Sequence, residues 1–337
     1  RELSGQGLSD EQIRAVLHVT GPEQIAAVTG FAGAGKSTML TAARRAWEAD
    51  GYRVHGAALA GKAAEGLSAS SGIASRTLAS WELGWENGRS MLGRKDILVI
   101  DEAGMIGSRQ LCRFVKEVEA RGAKLVLVGD HEQLQAIGAG SPFRAIAERT
   151  GAIELTEIRR QQHDWQRLAS IALATRRTSE ALARYHEQSA IRFADDRQQA
   201  FADLVRDYLA DRRDNPHRSR IALAHRRVDV RAINDAIREG LQAEGILAKG
   251  SSQSVTRDAT SVPEDEVGRT GGEIVYRTVN GARAFAAGDR IVLLQNDRDL
   301  GVKNGMLGTV EAVEPDAIHL RLDGSSGGQE TGRRLTI

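Results

Sequence analysis

At 337 residues the chain exceeds what one compact core usually holds and fits two or three domains. Hydrophobic residues at 41% and charged residues at 27% match a soluble globular protein, while aromatics at 4% leave too few rings for an aromatic cofactor cage. With 46 basic against 45 acidic residues, a binder driven by bulk positive charge is excluded, although a local basic groove is not.

In chain order, the first part alternates strands and helices, the pattern of a parallel α/β sheet. Apolar runs suited to strands buried on both faces are IAAVTG from Ile25, RVHGAAL from Arg53, ILVID from Ile97 and KLVLVGD from Lys124. MLTAARRAWEAD from Met39 has helical spacing, with Gly51 as a stop signal. The single cysteine, Cys112, falls on a predicted helix beside Leu111 and Phe114 and reads as a small buried hydrophobe. It rules out a disulfide within the chain and suits a reducing cytoplasm.

Glu157 to Asp214 reads as a helical connector, broken at Asn215 and Pro216. A strand, IALAH from Ile221, and a helix, DVRAINDAIREGLQAEG, follow as the start of a second α/β core. Residues 251–281 are polar and loop-like. DRIVLLQ, MLGTVEAV and AIHLRL then alternate with period 2, as expected of a small SH3-like antiparallel module. The expected domains are 1–156, a first mononucleotide-binding α/β core; 157–217, the connector; 218–248, an incomplete second core; and 249–337, the polar loop and β module. No signal peptide and no apolar run of about 18 residues is present, so no membrane insertion is expected. The histidines lack metal-ligand spacing, and zinc is not expected.

GFAGAGKS, from Gly30 to Ser37, fits the phosphate-loop pattern without a mismatch, and it follows a strand and opens a helix. Glycines let backbone N–H groups curl around phosphates, and the helix start adds a favourable partial charge. Lys36 is expected to reach the β- and γ-phosphates of ATP, and the Ser37 hydroxyl to ligate Mg²⁺. Gly33, Ala34, Gly35 and Thr38 complete the expected cradle. ILVIDE ends a strand in Asp101 and Glu102. Alone such a pair reads as a helix cap; after a phosphate loop it reads as a Mg²⁺ carboxylate, Asp101, and a general base, Glu102. Gln133, past the KLVLVGD strand, is placed to sense the γ-phosphate or to be an ordinary loop glutamine. Ser9 and Gln12 form an S-x-x-Q capping box, for which a helix start is a sufficient explanation.

In this order these residues resemble superfamily 1 helicases of the RecD-like, 5′-to-3′ branch, and more specifically the helicase half of Ti-plasmid-type conjugative transfer relaxases. The matching stretches include SDEQIRAVLHVTG, GFAGAGKST, ALAGKAAEGLSASSGIASRTLASWEL, VIDEAGMIGSRQ, KLVLVGDHEQLQAIGAGSPFRAI and ELTEIRRQ, with IALAHRRVDVRAINDAIR and GDRIVLLQNDRDLGVKNGMLGTV later. The resemblance covers nearly the whole chain and is most specific from Ser9 to Gln161. It implies that Gln12 reads adenine, that Gln133 senses the γ-phosphate and that Arg160 is an arginine finger. It also implies that Lys62, Thr77 and Ser80 contact single-stranded DNA, and that other proteins of the transfer machinery are partners.

Some positions depart from the pattern. His131 and Ala136 replace frequent prolines, Ala60 a frequent threonine, and Arg159 a more usual aromatic residue, which leaves the finger open between Arg160 and Arg159. The resemblance further implies a relaxase domain before Arg1 and later second-core motifs after Ile337, both ends reading as cut. A RecD-like repair helicase, and a module that binds ATP and single strands without unwinding, are the alternatives. Trp81 and Trp85 follow SRTLAS, where a base-stacking element or ordinary core packing is expected. Trp165 is expected to pack the connector, and Arg226 and Arg227 either to meet phosphates or to start a solvated helix.

Overall fold

The computed structural model describes residues 7–130, 140–159, 161, 163–216, 218–248, 272–278, 281–297, 299–302, 304–323 and 332–337. Gln133, Arg160, His131 and Ala136 lie outside the described residues, as does most of the polar stretch from 251. The chain divides into two compact units, Arg1–Ile191 and Arg192–Ile337.

The first unit is built on a parallel sheet of six strands in the order β3-β2-β4-β5-β1-β6. They are β1 (Ile25–Gly30), β2 (Arg53–Ala58), β3 (Ser75–Thr77), β4 (Asp96–Ile100), β5 (Lys124–Gly129) and β6 (Ile153–Leu155). Helices α1 (Asp10–Thr20), α2 (Lys36–Ala49), α3 (Gly61–Ser71), α4 (Leu78–Glu86), α5 (Ser108–Arg121) and α6 (Pro142–Thr150) connect or flank the strands. Alternation along each strand divides its side chains between two cores. Ala26 and Val28, Ile97 and Val99, and Val126 and Val128 pack with Met39, Leu40 and Trp47 of α2 in one of them. Ala27, Leu98, Ile100, Leu125 and Leu127 pack with Leu111, Phe114 and Val118 of α5 in the other. Full burial of each Val, Leu or Ile among them contributes about 1.5–3 kcal/mol, so the central strands fix the positions of the loops at their ends.

All four expected strands of this unit are present. Edge strands β3 and β6, three residues each, were not expected, because runs so short carry no readable period. The expectation for Cys112 is corrected: the helix is there, but Leu111, Phe114 and Val118 form its buried stripe and Cys112 faces solvent. Trp81 and Trp85 belong to the core beside Phe114, with the Trp81 indole N–H donating to Gly56 O at 3.0 Å. A helical pair, α7 (Asp164–Ala174) and α8 (Thr178–Glu187), closes this unit on Ala169, Ala172 and Ala181. Trp165 packs there as expected, edge-on to Tyr185 at 5.2 Å.

The second unit holds α9 (Arg197–Asp214) and α10 (Arg227–Ala243), followed by a ribbon of β7 (Ile274–Thr278) and β8 (Gly281–Phe285). An antiparallel sheet follows in the order β12-β11-β10-β9, from β9 (Arg290–Val292), β10 (Leu307–Glu314), β11 (Ala317–Leu322) and β12 (Arg334–Thr336). Its core is Val302, Val310, Ile318, Leu320, Leu322 and Leu335, with Tyr276 and Phe285 of the ribbon against it. The β module is therefore borne out. The ribbon corrects the expected loop, which ran to 281. The strand expected from Ile221 is also corrected: residues 219–224 form no strand, and only helix α10 of that expected pair is built. An isolated strand leaves its backbone groups to water, so without a pairing partner among the described residues the apolar run has nothing to hold it as a strand.

Candidate nucleotide site

Strands β1, β4, β5 and β6 end on the same edge of the parallel sheet, where open α/β folds bind ligands. The loops leaving these ends line an open cleft of about 500 Å³ that includes Gly33, Gly35, Lys36, Ser37, Asp101, Glu102, Met105, Asp130 and Arg159. The phosphate loop between β1 and α2 turns through left-handed backbone at Gly33 (φ +84°) and Gly35 (φ +79°). Such a turn points successive N–H groups inward, as an anion-binding nest requires. Lys36, the first residue of α2, donates from Nζ to Gly30 O at 2.7 Å and to Phe31 O at 3.1 Å, which ties it to the end of β1.

Asp101 follows β4 directly, its N–H bonded to Ala57 O at 3.0 Å. Burial pushes its carboxyl above the ordinary carboxylate range, opposed by the Glu102 N–H at 2.9 Å and by the charge of Lys36. Glu102 is raised as well, by burial first and then by the charge of Asp101. Two neighbouring carboxyls, each within reach of the Lys36 charge, are what a divalent cation with a phosphate would compensate. Glu102 is exposed and holds left-handed backbone, φ +53° and ψ +37°, which costs a non-glycine residue about 1–2 kcal/mol. Strain of this kind concentrates at functional sites. A 3₁₀ turn, Ala103–Met105, carries the chain onward from it. Gly104 is required there, since a Cβ would stand 2.8 Å from Asp130 O.

Gln12 is 1% exposed and completes the capping box, accepting from Ser9 N–H at 3.0 Å, while Ser9 Oγ accepts from Gln12 N–H at 3.3 Å. Its Nε2 also donates to Gly35 O at 3.1 Å, so the residue joins α1 to the phosphate loop. The capping explanation therefore covers only half of its bonding. Sequence reasoning did not single out Asp130, which lines the cleft; its position at the end of a predicted strand was the available signal. Arg159 lines the cleft too, with its N–H bonded to Gly33 O at 2.9 Å.

The DNA candidates lie toward the other side of the sheet, past the ends of neighbouring strands β2 and β3. Lys62 is exposed in the first turn of α3. Thr77 ends β3 and caps α4, its hydroxyl accepting from Ser80 N–H at 3.2 Å. Sheet order thus separates Lys62, Thr77 and Ser80 from the nucleotide cleft while keeping both groups at one edge. Arg226, at the start of α10, pairs with Asp229 at 3.1 Å and remains largely exposed. Among the described residues, no helix is long and apolar enough to cross a membrane.

Residues 7–196 match the family model described as AAA domain. The chain is 47% identical over 311 residues to the conjugal transfer protein TraA of Agrobacterium fabrum, covering 92% of this chain and 26% of that protein. It is 32% identical over 160 residues to the ATP-dependent RecD2 DNA helicase of Deinococcus radiodurans, covering 46% of this chain and 22% of that protein. A crystal structure of Pif1 helicase from Bacteroides, in complex with ADP-AlF3 and ssDNA, shares the fold at a TM-score of 0.53 and 19% identity, covering 98% of this chain and 74% of that one. The chain spans about a quarter of the length of the transfer proteins it matches. These relatives bear out the expected resemblance to the helicase region of conjugative relaxases. With its phosphate loop and parallel core, the chain belongs to the AAA domain family.

Proposed function

We propose that the chain is the ATP-hydrolysing motor region of a single-stranded DNA translocase and helicase, running 5′ to 3′, that acts in conjugative plasmid transfer in the cytoplasm. One observation carries this reading: the phosphate loop, Lys36 and the Asp101–Glu102 pair converge on a single cleft. In this reading residues 1–156 form the first RecA-like core, 157–217 the connector, 218–248 the start of a second core, and 249–337 the loop and β module.

The backbone N–H groups from Gly33 to Thr38 hold the phosphates, and Lys36 supplies the charge nearest the β- and γ-positions. Ser37 and Asp101 hold Mg²⁺, which when bound neutralises phosphate charge. Glu102 orients the attacking water and accepts its proton; its raised affinity for protons brings it closer to the base strength that task needs. Gln12 retains one N–H and one acceptor lone pair beyond its bonds to Gly35 and Ser9, the pair that an adenine edge presents in reverse. Gln133 as γ-phosphate sensor and Arg160 as arginine finger rest on the resemblance. Lys62, Thr77 and Ser80 grip the DNA backbone, and other transfer proteins are further partners.

A second reading, a module that binds ATP and single strands without unwinding, is favoured by the lack of a strand at 219–224. ATP turnover with and without single-stranded DNA separates the two. Stimulation by single strands, lost in Lys36→Ala and reduced about 10²–10⁴-fold in Glu102→Gln, supports the motor. Nucleotide binding without turnover supports the second reading, and no nucleotide binding overturns both.

A further inference from the structure

The geometry points to Arg159 as a phosphate-facing cation of the nucleotide cleft, held in place by Glu11 as a positioning residue. This inference rests on the cleft being a nucleotide site and extends that reading to two residues it does not use. Arg159 follows β6 by a short irregular segment, and nothing about an exposed post-strand arginine would by itself aim it anywhere. Two sets of bonds do so.

The first is the Glu11 carboxylate. It accepts from Thr156 N–H at 2.8 Å, Thr156 Oγ1 at 2.7 Å and Glu157 N–H at 3.1 Å. Three bonds to one carboxylate clamp the segment leaving β6 onto the first turn of α1, and charge-assisted bonds of this kind are the stronger sort. Burial alone would raise the Glu11 carboxyl, but these bonds and the charge of Arg14 outweigh it and hold it below its ordinary range. The clamp is therefore ionised throughout the neutral range.

The second is the Arg159 N–H, which donates to Gly33 O at 2.9 Å inside the phosphate loop. The backbone of Arg159 is thus fixed to the loop that cradles phosphates, and the residue stands at the rim of the cleft lined by Lys36, Asp101 and Glu102, between it and a neighbouring pocket that Glu157 also lines. The guanidinium's own partner is Glu157 at 3.3 Å, with the two side chains 42% and 53% exposed. An exposed pair of this kind is worth little, about 0–1 kcal/mol, and exchanges readily for a phosphate oxygen that offers a bidentate partner. Gln12, next to Glu11 on α1, bonds the other glycine of the loop. Adjacent residues of one helix turn therefore anchor the loop and the arginine segment to each other.

The test compares Mg²⁺-bound AMP-PNP with ADP by calorimetry on the whole chain, so that a triphosphate preference is read separately from general binding. The parent is expected to prefer the triphosphate analogue. Arg159→Ala should reduce that preference about tenfold, the scale of one charge-assisted bond, while leaving ADP affinity within twofold. Glu11→Ala should produce a smaller loss of the same kind, and none beyond that of Arg159→Ala when the two are combined. Glu11→Gln, which keeps one acceptor without the charge, should fall between Glu11→Ala and the parent. Equal preference in Arg159→Ala and parent, or a parent with no preference, overturns the assignment of Arg159. A Glu11→Ala variant that weakens ADP and the analogue alike, or adds fully to Arg159→Ala, overturns the positioning role. Failure of the parent to bind either nucleotide instead overturns the reading of the cleft itself.

Discussion

The side-chain amide of Gln12 donates to the carbonyl oxygen of Gly35 at 3.1 Å, so a helix cap and a phosphate loop 23 residues apart share one side chain. Gly35 has φ +79°, and a Cβ there would stand 2.3 Å from Gln12 Nε2. Gly35→Ala thus combines left-handed strain with displacement of the Gln12 amide. The expected result is a loss of about 1–3 kcal/mol of stability in thermal unfolding, together with weaker nucleotide binding. Gln12→Ala relieves the clash but removes the tie, so Gly35→Ala in a Gln12→Ala background should lose less than in the parent. Purely additive losses in the double variant would show that the two residues are not coupled.

The raised Asp101 carboxyl gives a pH prediction of opposite sign to that of an ordinary paired acid. Its proton affinity is higher in the folded chain than the reference value of 3.8, so ionising it works against folding at neutral pH. The penalty is absent below the unfolded value and grows as pH rises through the raised one. Asp101→Asn should therefore raise the melting temperature at pH 7 in the absence of nucleotide and metal, with the gain vanishing below about pH 4. It should also weaken Mg²⁺-dependent nucleotide binding. A variant that melts below the parent at pH 7 would show that Asp101 is a stabilising carboxylate.

Asp96 supplies the contrasting case. It is 1% exposed, and burial pushes its carboxyl up, but Arg53 at 2.7 and 2.8 Å, His55 at 2.9 Å and Gly93 N–H at 2.7 Å together hold it below its ordinary range. Because the folded value is depressed, its contribution is present above the unfolded value of 3.8 and is lost as pH falls through the depressed one. Asp96→Asn should destabilise by about 2 kcal/mol near neutral pH, a figure that allows for Arg53 being largely exposed. Urea titrations of both chains at pH 7 and near pH 3 provide the comparison. A deficit that does not shrink in acid would assign the effect to packing.

Much of the nucleotide cleft was legible in the sequence because its parts are local. A phosphate loop is one continuous run between a strand and a helix, and Asp101 ends a strand whose apolar pattern is plain. What was not legible depends on contacts distant in sequence. The segment IRRQ offered Arg159 beside Arg160, but the bond from Arg159 to Gly33 leaves no spacing to read, nor does the reach of Glu11 to residues 145 positions away. Cys112 was misread because a helix of mixed composition hides its rotation, which only Leu111, Phe114 and Val118 together define. The ribbon β7–β8 was the more avoidable omission, since IVYRT alternates and an Asn-Gly step follows it, a hairpin signal inside a stretch dismissed for its polarity.

If Lys62 meets a DNA backbone, its effect must be electrostatic and blind to sequence. Lys62→Ala should weaken binding of single-stranded oligonucleotides of any composition alike, and should lower the slope of log affinity against log salt by about one. Because Lys62 is exposed on α3, its removal should leave the melting temperature unchanged. Loss of binding to one base composition only would contradict a backbone contact.

The stretch 219–224 yields the last prediction. Ile221 and Leu223 are 79% and 77% exposed, whereas Ala222 and Ala224 between and after them are half-buried. The run thus turns its small side chains inward and its two large aliphatics to water, the reverse of the arrangement that solvation favours in an isolated chain. No strand pairs with it among the described residues, so its backbone is also open to a partner. A segment that is apolar, exposed and without a strand partner associates with whatever edge or apolar surface it meets, and at high concentration that includes another copy of the same chain. Sedimentation velocity should therefore detect concentration-dependent self-association in the parent. Replacing both residues, Ile221→Thr with Leu223→Thr, should suppress it without lowering the melting temperature, since neither side chain is buried in the folded chain. A parent that stays monomeric across the accessible concentration range would refute the prediction. Equal association of parent and double variant would move the contact elsewhere, with Phe193, at 81% exposed, as the next side chain to replace.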